Sequence, residues 1–214
     1  MKFSIEELRP IRNGMTISRD SRLGNSTKVT YFSMGKDTSI SQESYDRMTM
    51  YIGASGWGEF IIGEEPEIIK LQPDELLIVP AGTLCGMQTS NGIVYTEIIC
   101  TGKDINMNAN VKTNEVFALK NLISYEEGSI ANMDMVSTPD MKYVLMAFDE
   151  GTGLTPHRAP GNAIVFALEG KATIGYEGKD YELSEGECFR FEKNGLHSVT
   201  ANGKFKMALL LVLE

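Results

Sequence analysis

One spaced frame of turn residues is written twice in this chain of 214 residues. In the second half it runs Gly151-x5-His157-x-Ala159-x3-Ala163-x6-Gly170, then Gly186-x5-Glu192-x-Asn194-x2-His197. In the first half it runs Asp37-x5-Glu43-x-Tyr45-x3-Thr49-x6-Gly56, then Asp74-x5-Pro80-x-Gly82-x2-Cys85. From Glu43 to His157 the offset is 114, and from Cys85 to His197 it is 112. Two copies that share their internal spacing point to a repeated structural unit. The chain has only two histidines, and both lie in the second copy.

Between the frame residues the chain reads as short strands. Val29–Met34, Arg47–Ile52, Glu59–Ile62, Ile68–Leu71, Leu76–Val79 and Ile93–Ile99 are rich in β-branched, aromatic and aliphatic residues. Glycine, proline or acidic turns such as Gly63-Glu-Glu-Pro66 separate them. A second series begins at Val116, with its best strands at Tyr143–Phe148, Ala163–Leu168, Lys171–Tyr176, Tyr181–Leu183, Cys188–Phe191, His197–Thr200 and Lys206–Leu213. Short strands at regular spacing predict an all-β sandwich or barrel. Ser4-x-x-Glu7 predicts a capped helix ending before Pro10, and Leu119–Tyr125 is the other helical candidate. The segment 13–26 reads as polar turns, and 101–115, rich in Asn, Lys and Asp, reads as a linker. The expected division is therefore 1–105 and 106–214.

The two frames resemble the motifs of the cupin superfamily, G-x5-H-x-H-x3,4-E-x6-G and G-x5-P-x-G-x2-H-x3-N. The chain is similar to a double-domain cupin. Its second half, with Gly153-Leu-Thr-Pro-His157-Arg-Ala-Pro-Gly-Asn-Ala163 and Phe205-Lys-Met-Ala-Leu-Leu210, resembles small bacterial cupins of the conserved-barrel type. Asn162 and Glu192 depart from that type, in which Asp and Pro are usual. The resemblance implies two tandem jelly-roll barrels preceded by a short helix. It also implies a metal site cut from four ligands to two, because Ala159 and Ala163 replace the second histidine and the glutamate.

The ligand site implied is the second barrel, with His157 and His197 adjacent inside it. Asn162, Tyr176 and Arg190 are polar candidates nearby, and Met207 is a candidate floor. His157 and His197 are also the candidate metal ligands for at most one divalent transition metal. A zinc site takes three or four protein ligands and a facial triad needs a carboxylate. The first copy carries Glu43, Tyr45, Thr49 and Cys85 at its four ligand positions and reads as a structural barrel without metal. The function expected is small-molecule binding. The alternative is a metal-assisted enzyme, of isomerase, epimerase or oxygenase type, acting on a small sugar or carboxylate.

Composition narrows the partners. A net charge of −9 and a pI near 4.9 argue against a general nucleic-acid binder. No apolar run is long enough to span a bilayer, and Met1–Glu7 has no signal-peptide core. Three cysteines, odd in number and far apart, suit free thiols in a reducing cytoplasm. Cupins commonly pair through barrel edges, so a homodimer is expected.

Overall fold

The computed structural model describes residues 1–24, 27–100 and 104–213. Among these the one α-helix is Ile5–Leu8, where the Ser4 hydroxyl accepts from the Glu7 amide at 3.4 Å. Everything else that is regular is strand, apart from a 3₁₀ turn at Leu119–Asn121. That turn is shorter than the helix expected over Leu119–Tyr125, for Leu119 is buried and ties the segment to the sheet beneath it.

The first half forms two facing sheets. One has six strands in the order Val116–Ala118, Glu75–Val79, Thr49–Gly56, Ile93–Ile99, Lys28–Met34 and Thr16–Asp20. The other has four, in the order Thr38–Ser44, Leu84–Thr89, Gly58–Ile62 and Glu67–Leu71. The second half contributes eight strands, and Lys2–Phe3 the ninth, to one sheet wrapped on itself. Its spine is two long strands, Asn162–Tyr176 and Leu196–Val212, which bend at bulges near Glu169 and Ala172. In the first half the equivalent path is broken, at Trp57 and at 90–92, which separates its two sheets.

The frame residues explain why both halves take this path. Gly151 and Asp37, Gly170 and Gly56, Gly186 and Asp74, and Asn194 and Gly82 are matched pairs, and all eight have positive φ. Left-handed backbone favours Gly, then Asn and Asp, so the frame is a row of obligatory turns. Gly170 also lets the chain cross tightly. A Cβ there would lie 2.1 Å from the Lys204 carbonyl oxygen, and one on Gly56 would lie 2.1 Å from that of Gly92.

Three segments differ from expectation. Residues 13–26 contain the strand Thr16–Asp20, paired with Lys28–Met34. It is a mostly exposed edge strand, held by backbone bonds, so it shows no apolar alternation. The expected linker, of which 101–103 lie outside the described residues, contains Asn106–Met107, paired with Ile130–Thr138. Val116–Ala118 pairs with Glu75–Val79 and so completes the first sheet. In return Lys2–Phe3 pairs with Cys188–Phe191. Each half thus lends a strand to the other.

Three apolar cores result. One fills the first barrel around Phe60, Tyr51, Tyr95 and Leu71. One fills the second around Phe148, Phe189, Phe191 and Phe205. The largest lies between the barrels and joins Leu76, Ile78, Val94 and Ile98 to Tyr143, Leu145, Ile164 and Leu210. Alternation assigns each strand's residues, so Val94 and Ile98 turn to the shared core while Ile93 and Tyr95 turn inside the first barrel.

Candidate functional site

His157 and His197 are cross-strand partners. Gly153–Arg158 lies antiparallel to Leu196–Val212, with His157 opposite His197 and Leu154 opposite Val199. A bulge separates those two pairs. The imidazole centroids are 4.3 Å apart. The first barrel repeats this register, for Glu43 stands opposite Cys85 and Ile40 opposite Met87, again across a bulge. The repeat therefore extends to the bulge that aims the motif side chains.

Backbone carbonyls set the tautomer of both rings. His157 Nδ1 is 2.8 Å from the Thr155 carbonyl oxygen, and His197 Nδ1 is 2.9 Å from that of Gly195. A carbonyl oxygen can only accept, so each Nδ1 carries the proton and donates it. Each Nε2 is left with a free lone pair. His197 is 7% exposed, and burial lowers its pKa below 6.5, with the His157 charge adding to the effect and the Gly195 bond opposing it. The imidazole is neutral at neutral pH. His157 is exposed at the rim.

Aromatic rings take the place of the missing ligands. Ala163 is buried and stands opposite Phe191, whose ring stacks on His197 at 4.1 Å and 25°. Tyr176 is the cross-strand partner of His197, and its ring lies 5.6 Å from that of Phe191. The Tyr176 oxygen accepts from the Glu192 amide at 3.3 Å, so its own proton is available to donate. Beside these residues is a cleft of about 190 Å³ lined by Tyr176, His197, Pro156, Lys179 and Asp180 among others.

Two of the other sequence candidates, Arg190 and Asn162, turn their polar groups to residues outside this pair. Arg190 is on the opposite face of its strand from Phe189 and Phe191. Its guanidinium donates to the carbonyls of Ser21 and Arg22 and pairs with Glu192 at 2.8 Å. Asn162 bridges the halves, donating to the Leu23 carbonyl and accepting from the Lys193 amide, both at 2.8 Å. Met207 is buried in the core of the second barrel, opposite Ala167 and Met146. Phe191 was not singled out by its sequence. The signal for it was the small Ala163 at a position that ordinarily carries a large side chain.

Among the described residues no group of three or more His, Cys, Asp or Glu side chains could hold a metal ion. Two imidazoles fall short of the three or four protein ligands of a zinc site. They also lack the carboxylate of a facial triad, and Ala163 with Phe191 fills its place with hydrocarbon. The donor set does not fit a resident metal. Among the described residues no helix is long and apolar enough to cross a membrane.

In the first barrel, Glu43, Tyr45 and Cys85 line a cavity of about 90 Å³ with Glu97, Tyr51 and Tyr95 among others. Burial pushes the Cys85 thiol up to about 11, against a lowering hydrogen bond from Tyr51, and Glu97 pushes it further up. Cys100 and Cys188 are buried core residues.

Comparison with known proteins agrees with this architecture. Residues 144–213 match the Cupin_2 family, described as a cupin domain. No curated protein sequence matches the chain. A cupin 2 conserved barrel domain protein from Leptotrichia buccalis superposes with a TM-score of 0.88 at 24% identity, over 99% of this chain and 96% of that one. A salicylate 1,2-dioxygenase from Pseudoaminobacter salicylatoxidans, in adducts with gentisate, gives 0.69 at 11% identity over 96% and 76%. Oxalate decarboxylase from Bacillus subtilis gives 0.59 at 12% identity over 100% and 76%. The second barrel therefore carries a cupin domain, and the chain as a whole has the cupin fold, built as two barrels in tandem.

Proposed function

We propose that the second barrel binds a small polyhydroxylated molecule of the sugar class at His157 and His197. The observation that carries this is the paired geometry, with both Nδ1 atoms bonded to backbone carbonyls and both Nε2 atoms left for a ligand on rings 4.3 Å apart. Neighbouring hydroxyls of one ligand are matched donors for such a pair. The Tyr176 hydroxyl adds a donor beside them. A bare carboxylate is the poorer match, because the neutral imidazole of His197 offers it no positive charge. Residues 1–105 and 106–214 are taken as the two cupin domains. The chain is taken as a homodimer, because the outer edge of Thr16–Asp20 pairs with nothing among the described residues.

A second reading is an isomerase or epimerase in which His197 removes a proton from the bound sugar. It rests on the lowered pKa of His197, which keeps that base unprotonated at neutral pH. One set of measurements separates the readings. Mass spectrometry identifies what copurifies, and calorimetry measures its binding to wild type, His157→Ala and His197→Ala. Each variant is expected to weaken binding by about tenfold, the worth of one hydrogen bond at the upper end. Unchanged affinity in both would end the proposal. Conversion of the bound molecule by wild type and not by His197→Ala would establish the second reading. Elemental analysis is expected to find well under one metal per chain. One full equivalent, lost in His157→Ala, would restore the metal-assisted reading.

A further inference from the structure

The first barrel has kept a pocket where its sequence motif suggests only a scaffold. Glu97 sits in the strand Ile93–Ile99 on the same face as Ile93 and Tyr95, and so inside the barrel. Since Gly92 and Lys204 stand in matching crossings, Tyr95 and Glu97 correspond to Met207 and Leu209 of the second barrel. An acid thus replaces a leucine on the inner wall. Glu97 is 5% exposed, and Lys28 is the charge that opposes its burial. Its cross-strand neighbour Thr30 is also buried, with a hydroxyl that has no partner. An unpaired buried polar group costs stability and calls for an explanation.

The rest of the lining mixes aromatic rings and Glu43 with Ile40, Met87, Ser41 and the Cys85 thiol. Tyr95 stacks on Phe32 at 5.0 Å and meets Tyr51 at 6.0 Å. Tyr45, 36% exposed, and Glu43 stand at the rim. No Lys or Arg lines the cavity among the described residues. Burial raises Glu97 to about 7, with Lys28 only partly opposing, so the pocket holds an acid ready to ionise beside a cation. Burial also raises Tyr45, and the carboxylates of Glu97 and Glu43 raise it further, so both acids bear on the rim tyrosine.

We propose that this pocket binds a small methylated ammonium cation, with Glu97 as its counter-charge and Tyr45, Tyr51 and Tyr95 as its walls. Aromatic faces attract cations, and methylated ammonium ions are the usual occupants of aromatic cages. An –NH₃⁺ group has three protons to satisfy at acceptor atoms, which the ring faces of Phe32, Phe60, Tyr51 and Tyr95 are not. A quaternary, fully methylated ammonium has none. The volume of about 90 Å³ admits a compact head group and excludes a sugar ring.

The test is calorimetry of the full chain with choline and with its neutral isostere 3,3-dimethyl-1-butanol. Choline is expected to bind at least tenfold more tightly than the isostere. Glu97→Gln should weaken choline about tenfold, and Tyr45→Ala, at the exposed rim where folding is not at stake, several-fold. Choline affinity should rise from pH 6 to pH 8 as Glu97 ionises, and its binding should release protons to the buffer. Equal affinity for choline and the isostere, no binding of choline, or choline binding that survives Tyr45→Ala unchanged would each overturn the proposal.

Discussion

The two barrels share a backbone and differ in what they bury. Their register matches down to the bulge beside the motif pair, and their eight frame residues share left-handed backbone. Yet one inner wall carries Met207 and Leu209 where the other carries Tyr95 and Glu97. One motif pair is His157 with His197, and the other is Glu43 with Cys85. Turn geometry is what both halves must keep, because positive φ restricts residue choice absolutely enough to survive duplication. Inward side chains are free to change as long as volume and polarity are balanced.

The barrels also differ in how far each depends on the other. Every long strand of the second half has one face on the shared core, with Tyr143, Leu145, Ile164 and Leu210 fully buried there. Removing residues 1–110 strips that face and the lent strand Lys2–Phe3. The largest effect expected is therefore that a fragment of 111–214 self-associates or precipitates, because a broad apolar patch is uncovered. Light scattering or size-exclusion chromatography decides. A monomeric fragment as stable as the whole chain would show that the barrels are independent domains that merely touch.

A smaller effect separates the pockets by pH. Glu97, raised by burial to about 7 from 4.5, contributes stability below pH 4.5 that is lost as pH rises through 7. Gln at that position cannot ionise and escapes the loss. Glu97→Gln should therefore gain about 2 kcal/mol over wild type between pH 5 and pH 8. Urea titrations at the two pH values measure it. An equal difference at both would mean that the carboxyl is solvated and the first barrel's inner wall is not what it appears in the fold.

Much of the fold was legible because turns are local. The frame residues, the Ser4 cap and the alternating strands could all be read without knowing what they pack against. The pairing of the two histidines followed from the same frame. What escaped was non-local. Thr16–Asp20 is a strand only because Lys28–Met34 lies beside it, and Val116–Ala118 belongs to the first half because Glu75–Val79 offers an edge. Arg190 and Asn162 stand next to site residues in sequence, but the carbonyls of Ser21, Arg22 and Leu23, more than 130 residues away, claim their donors. Glu97 had a visible signal, an acid at inward parity in the apolar run Ile93–Ile99. That signal points to a pocket only once Tyr51 and Tyr95 are known to surround it.

The central claim, that the second barrel presents two adjacent imidazoles whose Nδ1 protons are held by backbone carbonyls, with His197 neutral at neutral pH, is open to a direct measurement. The chain has only two histidines, so a long-range ¹H–¹⁵N spectrum of the imidazoles contains two ring systems and nothing else. At pH 7 both rings should carry a proton on Nδ1, and His197 should have an unprotonated Nε2 and keep this pattern to a pH below 6.5. Protons on Nε2 in both rings, or a His197 already charged at pH 7, would contradict it.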